Sequence, residues 1–363
     1  MRSVRDIPLF ANIPIMVRGS LNVPLENGRV VNDYRLRRAL PTLQFLCEQR
    51  AKVVLVSHLG EKGTETLQPV AEALGALIPN VSFCAETTGA NVRSAIREMT
   101  PGHFLVLENL RRNKGETDND PAFAAELATL ADVFVQDSFD TCHRSHASIV
   151  GIPDLLPSYA GLLLEEEVAE LTAALTPEAP SLAVIGGAKF STKEAVLTAL
   201  LKKYDHVFVG GALANDFLKA KGQDVGKSLV SGADTARVEE LLTNPKLVIP
   251  VDSVIANDMI LDHGVQTSAL LADLAEKAKT ILWNGPLGKF EDGYGQGTEH
   301  FARAVAASGA RSIVGGGDTV AAIEKLGLLS KFSFVSTGGG AMNDFLADGS
   351  LVGIDALNTQ PSA

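Results

Sequence analysis

Two stretches of this chain combine glycine, charge and position in a way that suits phosphate chemistry. The first is Gly186-Gly-Ala-Lys189-Phe-Ser-Thr-Lys193, which follows the apolar run Leu182–Ile185. Two lysines four residues apart share one face of a helix. At a helix N-terminal end, beside free backbone N–H groups, they suit a transferring phosphoryl group, whose catalysis is mostly positioning and charge stabilisation. A solvated lysine pair on a surface helix is the plainer alternative. The second stretch is Ser312–Thr319, read Ser-Ile-Val-Gly-Gly-Gly-Asp-Thr, with a helical pattern resuming at Val320–Leu326. Gly315, Gly316 and Gly317 would let a ligand approach the backbone, leaving helix N-terminal N–H groups, with Thr319 beside them, free for phosphate. Asp318 adds a carboxylate suited to Mg²⁺, which is usually held by one or two carboxylates plus phosphates. Glycine-rich turns also serve plain packing.

The same strand-to-glycine pattern recurs at Gly210-Gly211 and Gly338-Gly-Gly340. Asn284-Gly-Pro286, with Glu291 beyond it, follows another strand and reads either as contacts to a nucleotide's polar groups or as turn chemistry. In the first half, positive groups fall at or just after strand ends: Arg18, Arg35, His58, Arg111 and Arg144. Arginines suit bidentate binding of carboxylate or phosphate, so a small anionic substrate fits them, with surface ion pairs as the alternative. His143 and His146 flank Arg144 without an evident third metal ligand, which favours packing or hydrogen bonding. Two motif-like stretches are set aside. Gly222-Gln-Asp-Val-Gly226-Lys227-Ser228 has three residues between its glycines where a P-loop needs four. Gly315-x-Gly317 is followed by Val320 where a dinucleotide fingerprint wants a third small residue.

The elements that must position these groups alternate. Strands are expected at Ile13–Val17, Lys52–Ser57, Val81–Cys84, Phe104–Glu108 and Val133–Gln136, with helices at Asp33–Gln49, Gln68–Leu77 and Asp120–Leu130. This βα alternation predicts an α/β fold with a mainly parallel sheet. Gly161–Thr176 reads as a helix ended by Pro177 and Pro180, and so as a connection between domains. A second series follows, with strands at Leu182–Ile185, His206–Val209, Leu247–Pro250, Thr280–Trp283, Ser312–Val314 and Phe332–Val335. The expected division is a first domain over 1–160 and a second over 161–344, with 345–363 returning to the first. In an open parallel sheet ligands bind beyond the carboxyl ends of the strands. Nearly every glycine cluster of the second half lies there.

The 363 residues carry a net charge of −11, which argues against nonspecific binding to nucleic acid or an anionic membrane but not against a local anion site. Three dispersed cysteines make a disulfide framework or zinc site a poor reading and fit a reducing compartment. Neither a signal peptide nor a long apolar span is evident, so a cytoplasmic location is expected.

Taken together the residues resemble the phosphoglycerate kinase family over nearly the whole chain. The matching segments are Asn22-Val-Pro24, Arg35-Leu-x-x-Ala-Leu-Pro41-Thr, Ser57-His-Leu-Gly60, Leu107-Glu-Asn-Leu-Arg111, Asp137-x-Phe-x-Thr-x-His-Arg144-x-His-Ala-Ser148, Gly186-Gly-Ala-Lys189-x-Ser-Thr-Lys193, Gly226-Lys-Ser-Leu229, Leu282-Trp-Asn-Gly-Pro286, Ile313-Val-Gly-Gly-Gly-Asp-Thr319 and Ser336-Thr-Gly-Gly-Gly-Ala341. The resemblance implies two Rossmann-like three-layer αβα domains joined by a helical hinge, and a monomer. It implies reversible phosphoryl transfer between 1,3-bisphosphoglycerate and ADP, giving 3-phosphoglycerate and ATP, with Mg²⁺. It further implies that Arg35 and Lys189 stabilise the transferring phosphoryl and that Gly317 and Gly340 offer it backbone N–H groups. Lys193 would hold nucleotide phosphate and Asp318 the metal, with Gly210, Gly211, Asn284, Glu291, Gly316 and Thr319 around the nucleotide. Asn22, His58, Arg111 and Arg144 would hold the phosphoglycerate.

Departures from the family pattern all fall at the phosphoglycerate end. The family's Asp-Phe-Asn-x-Pro is here Ser20-Leu21-Asn22-Val23-Pro24, and His-Leu-Gly-Arg-Pro is here His58-Leu-Gly-Glu61-Lys62, one residue short. Phe-Gly-Thr is here Phe139-Asp140-Thr141. Lys62 could replace the missing arginine as the cation. Two other readings therefore stand beside the kinase: a divergent relative that phosphorylates another carboxylate, and a nucleotide-binding protein without catalysis.

Overall fold

The computed structural model describes residues 1–358. The last five of the segment 345–363 expected to return to the first domain lie outside the described residues. The chain divides into two compact units, one formed by Met1–Val168 and the segment from Ser350 onward, the other by Ala169–Gly349.

The strands of the first unit are β1 (Pro14–Gly19), a short hairpin of β2 (Leu25–Glu26) and β3 (Arg29–Val30), then β4 (Lys52–Val56), β5 (Val81–Cys84), β6 (Phe104–Leu107), β7 (Val133–Asp137) and β8 (Ser158–Ala160). Six of them form a parallel sheet in the order β5-β6-β4-β1-β7-β8. Strand side chains alternate between faces, and here both faces are covered. Ile15, Val17, Val53 and Leu55 pack with Leu36, Leu43 and Leu74 in one apolar layer. Met16, Val54, Val56 and Phe134 pack with Phe123 and Leu127 in the other. This explains why the strands read as continuous apolar runs rather than as alternating ones. The helix Tyr34–Glu48 buries Leu36, Ala39, Leu43 and Leu46 at helical spacing. The helix Val352–Ala356 is part of this unit. Gly353 N donates to the Cys142 carbonyl at 2.8 Å, and a Cβ at Gly353 would lie 2.7 Å from the Ile149 side chain, so the helix seats closely.

In the second unit β9 (Ser181–Ile185), β10 (His206–Val209), β11 (Leu247–Val248), β14 (Thr280–Asn284), β15 (Arg311–Gly315) and β16 (Phe334–Val335) make a second six-stranded parallel sheet, ordered β11-β10-β9-β14-β15-β16. An antiparallel hairpin, β12 (Ser253–Ala256) with β13 (Met259–His263), stands outside it. The chain moves outward from β9 through β10 to β11, then crosses to β14 on the other side of β9. That reversal is the switch point at which open α/β sheets bind ligands. In the first sheet the reversal falls at β1, between β4 and β7. Between the two units the chain runs through the helix Leu162–Ala174. The first turn of that helix is capped by Asp137, whose Oδ1 accepts from the backbone N–H groups of Leu163 (3.0 Å) and Leu164 (3.3 Å).

Candidate active site

At the switch point of the second sheet, three strand-end loops are locked together through glycine. Gly186 N donates to Asn284 O (2.8 Å), Gly210 N to Ile185 O (2.9 Å), and Gly211 N to Leu287 O (3.1 Å). A Cβ on Gly186 would sit 2.1 Å from the Pro286 carbonyl oxygen, and one on Gly285 2.3 Å from the Gly186 oxygen. These two glycines are present because backbone crosses backbone there, which is packing rather than ligand approach. The triple glycine splits its work similarly. A Cβ on Gly315 would run into Met342 Sδ at 2.3 Å, Gly316 turns the chain with φ +97°, and only Gly317 faces open space. Of the three, Gly317 alone leaves open space beside its backbone.

Lys189 and Lys193 do not share a helix face. A 3₁₀ turn, Phe190–Thr192, follows the glycine loop, and the α-helix starts only at Glu194. The lysines therefore bracket the turn. Lys189 is exposed. Lys193 is partly buried, and its Cε lies 3.5 Å from where a Gly187 Cβ would be, so its stem crosses the glycine loop. Burial pulls the Lys193 ammonium down to about 8, against the opposing charge of Asp344. A cation held this way is short of a counter-charge, which suits an anion.

Beside this loop lies a cavity of about 360 Å³ whose lining includes Gly187, Gly211, Glu291 and Asp318, with an apolar wall formed in part by Leu229 and Met259. Asp318 is exposed in the first turn of the helix Gly317–Lys325. Thr319 Oγ1, one residue on, is buried without a hydrogen-bond partner. Gly340 opens the helix Gly340–Asp348 and is exposed. Asn284 is 2% exposed and donates through Nδ2 to the Gly339 carbonyl (3.1 Å), tying the loop after β14 to the loop after β16. Gly210 is buried against Leu287 and Phe208. The apolar wall was not singled out from sequence. Its signal lay in Gly226-Lys227-Ser228-Leu229, which is no P-loop but the dock for the β12–β13 hairpin. Gly226 bridges Met259, and Ser228 Oγ accepts from Ile260 N at 2.8 Å.

The first unit gathers a different set at the carboxyl ends of β1, β4, β6 and β7. Arg18 is 1% exposed and spends its guanidinium inside the protein. It donates to Ser148 Oγ (3.0 Å), Gly19 O (2.9 Å), Ser57 Oγ (3.2 Å) and His58 Nδ1 (3.0 Å). Ser148 in turn donates through Oγ to buried Glu116 at 2.6 Å. Arg18 is thus an internal strut. Burial and the Arg18 charge hold His58 well below its ordinary value. Its imidazole is neutral, accepts at Nδ1 and carries its proton at Nε2. Arg35 NH1 donates to Asn22 O (2.6 Å), and Asn22 Oδ1 accepts from Gly60 N (3.1 Å). Arg111 NH1 donates to Gly60 O (2.7 Å) and meets Glu61 Oε2 at 3.1 Å, while its buried Nε has no partner. Lys62 is exposed, and the group that meets Arg111 is Glu61. Arg144 is also exposed, near His146, whose imidazole is held down at about 4 by burial and by the charges of Arg111, Arg18 and Arg144. Ser20 is buried with its Oγ unpartnered. The group that sequence reading passed over is Asp140, noted only as a departure from pattern. It is buried 3.6 Å from Arg35. Burial alone would raise its carboxyl, but Arg35, the Ser138 hydroxyl and Arg18 hold it below the ordinary carboxylate range.

Two parallel α/β units, one ending in arginines and the other in glycine, lysine and a carboxylate at a helix N-terminus, define a protein built to handle anions at the carboxyl ends of its strands. The phosphoglycerate kinase family profile matches residues 4–349. The chain is 42% identical to the phosphoglycerate kinase of Moorella thermoacetica and 43% identical to that of Rubrobacter xylanophilus, covering 98% of each and 98% of itself in both comparisons. Among solved structures, it is similar to phosphoglycerate kinase from Coxiella burnetii (TM-score 0.82, 40% identity, 98% of each chain). It is also similar to phosphoglycerate kinase from Pyrococcus horikoshii OT3 (TM-score 0.90, 32% identity, 99% of this chain and 98% of that one). The chain belongs to the phosphoglycerate kinase family.

Proposed function

We propose that this protein transfers a phosphoryl group reversibly between the acyl phosphate of 1,3-bisphosphoglycerate and ADP, yielding 3-phosphoglycerate and ATP. The observation that carries the reading is the shared cavity: Gly187 and Ala188, next to Lys189, line the same space as Asp318. One bound polyphosphate there meets the lysine loop and the carboxylate together. Lys193 and the N–H groups at Gly316, Gly317 and Thr319 hold its phosphates, with Gly211 and Glu291 around the nucleoside and Gly210 and Asn284 setting the loops. Lys189, Gly317 and Gly340 face the charge that develops on the transferred group. In the other unit Arg35 receives the phosphoryl end. His58 Nε2–H, Asn22, Arg111 and Arg144 supply donors for the glycerate and its phosphate.

The residues fit Mg²⁺ as a shared ion rather than a caged one. Asp318 is a single exposed carboxylate, and among the described residues no group of three or more metal-type side chains exists. Asp318 would hold Mg²⁺ together with the nucleotide phosphates, and the ion would supply neutralisation of phosphate charge. The net charge of −11 supports a protein that works on small molecules without nucleic acid or membrane; a cytoplasmic monomer belongs to the same proposal. No helix of the described residues is long and apolar enough to cross a membrane.

The test is ATP turnover with 3-phosphoglycerate and Mg²⁺, followed through coupled NADH oxidation. Turnover with a saturable dependence on 3-phosphoglycerate is expected. ATP binding without turnover would overturn this reading and leave two others, a kinase for another carboxylate, which Ser20 and Glu61 motivate, and a nucleotide-binding protein without catalysis.

A further inference from the structure

Asp140 is a carboxylate built into the arginine-rich end of the first unit. It stands in the 3₁₀ turn Phe139–Thr141, just beyond β7, with a side chain 6% exposed. Its Oδ1 accepts a 2.6 Å hydrogen bond from Ser138 Oγ, which fixes the carboxyl plane. Its Oδ2 lies 3.6 Å from Arg35 NH1, and that same nitrogen donates to the Asn22 carbonyl at 2.6 Å. The guanidinium of Arg35 is therefore held from two sides, by the loop after β1 and by the turn after β7. Arginine carries a long, rotamer-rich stem, and a fixed fork geometry is useful only when something aims it.

Position 20 completes the argument. β1 and β7 are neighbours with Gly19 opposite Asp137, so Ser20 and the Phe139–Thr141 turn leave adjacent strand ends. Ser20 is 1% exposed and its hydroxyl has no hydrogen-bond partner. A buried polar atom left unpaired marks a place where the side chain does not match what surrounds it. Of these two neighbouring strand ends, the carboxylate offered to Arg35 comes from Asp140.

We propose that Asp140 is a positioning residue that aims Arg35 at the transferring phosphoryl group, a task moved to it from position 20. The inference rests on the function proposed above, in which Arg35 meets that group. Asp140 touches no reacting atom in this scheme. It acts through Arg35, and a small misplacement of a charge-stabilising group is enough to cost roughly 100-fold in rate.

The test compares Asp140→Asn, Asp140→Gly, Ser20→Asp and the double variant Ser20→Asp/Asp140→Gly by steady-state kinetics and thermal unfolding. Asp140→Asn and Asp140→Gly are expected to lower kcat by roughly 10–100-fold, with the ATP KM and the unfolding midpoint nearly unchanged. The double variant should regain about tenfold or more over Asp140→Gly, a coupling expected only of residues that share a partner. Unchanged or raised kcat/KM for 3-phosphoglycerate in Asp140→Asn would overturn the proposal, since Asp140 would then compete with substrate for Arg35. A parallel loss in both substrates together with lost thermal stability would make it a packing residue and overturn it equally, and no gain in the double variant would overturn the transfer from position 20. If the wild-type protein fails to turn over 3-phosphoglycerate, it is the proposed function that fails. The Arg35 Nε–Hε NMR signal, assigned by its loss in Arg35→Lys, then decides for Asp140: a shift and broadening in Asp140→Asn supports it, and an unmoved signal rejects it.

Discussion

Glu61 Oε2 lies 3.1 Å from NH1 of Arg111, an arginine whose side chain is only 4% exposed. The loop that carries Glu61 is pressed onto Arg111, since a Cβ at Gly63 would stand 2.2 Å from the Arg111 carbonyl oxygen. Under the proposed function, an internal carboxylate thus takes a place that the substrate anion would need. Glu61 is 74% exposed, so water and salt weaken the pair to about 0.2–1 kcal/mol. Glu61→Gln is therefore expected to lower the KM for 3-phosphoglycerate by about two- to fivefold, leaving the KM for ATP unchanged. Initial-rate measurements at low ionic strength check this. An unaltered KM would mean that Glu61 swings clear at no cost.

Under the proposed function Lys193 connects nucleotide binding to pH. Its ammonium titrates at about 8 in the free protein because burial disfavours the charge. A bound polyphosphate favours the charged form and lifts that value. At pH 8 the free protein holds about half a proton at this site and the complex nearly a whole one, so binding takes up about half a proton there. Calorimetry of ADP binding in two buffers of different ionisation enthalpy measures the uptake. It should shrink toward pH 6 and vanish in Lys193→Met. For the free protein the linkage runs the other way. Between pH 8 and the unfolded lysine's ordinary value, the unfolded chain binds the extra proton, and this site adds stability as pH rises.

Asp137 carries the opposite dependence. Its carboxyl is wholly buried and pushed up to about 8 by burial, despite the hydrogen bonds that favour its charged form. The folded state then binds a proton that the unfolded chain has lost above about pH 4, so the contribution is fully present below that pH and declines as pH rises through 8. Asp137→Asn keeps an oxygen acceptor for Leu163 N and Leu164 N but cannot ionise. It should match the wild type near pH 4 and exceed it in urea midpoint at pH 9. Asp137→Ala removes the cap and should cost about 1–2 kcal/mol near pH 4, a cost offset at pH 9 by the loss of the buried charge. If Asp137→Asn loses stability equally at both values, the carboxyl is ionised throughout.

Much of this architecture was legible from residue pattern. The helix Gln68–Leu77 and the strands Val81–Cys84 and His206–Val209 match the expected bounds residue for residue, because each is an apolar segment closed by turn residues. The helix Ala90–Glu98 was not foreseen, since it fully buries only Val92 and Ile96 and carries no other large apolar residue. Site residues divide along the same line. Asp318, Lys189 and the glycines announce themselves by lying directly after strands. The 3₁₀ turn that separates Lys189 from Lys193 does not, because the spacing of two lysines is the same in a helix and beside one. Nor does the sequence separate Gly186 and Gly285, which admit a neighbouring backbone, from Gly317, which stands open. The contact of Arg35 with Asp140 joins residues 105 positions apart and depends on β1 pairing with β7. Only the folded sheet shows it.

Lys189 gives the sharpest separation of chemistry from stability. It is exposed, sits at the end of the glycine loop and begins the 3₁₀ turn, with its backbone rather than its side chain in the local hydrogen bonds: Thr192 Oγ1 donates to the Lys189 carbonyl at 3.0 Å. Lys189→Ala therefore leaves the loop intact. Under the proposed function it removes a positive charge near the phosphoryl group, and deleting one such group from a charge-stabilising site costs about 100–1,000-fold in kcat. Unfolding midpoint and ADP affinity, the latter resting on Lys193 and the helix N-terminus, should stay close to wild type. Lys189→Arg should recover little, because the guanidinium is larger and its charge is spread over a planar fork. Near-normal kcat in Lys189→Ala, measured in the coupled assay with both substrates saturating, would remove Lys189 from the transfer step and leave the phosphoryl charge to Arg35 and the backbone N–H groups at Gly317 and Gly340.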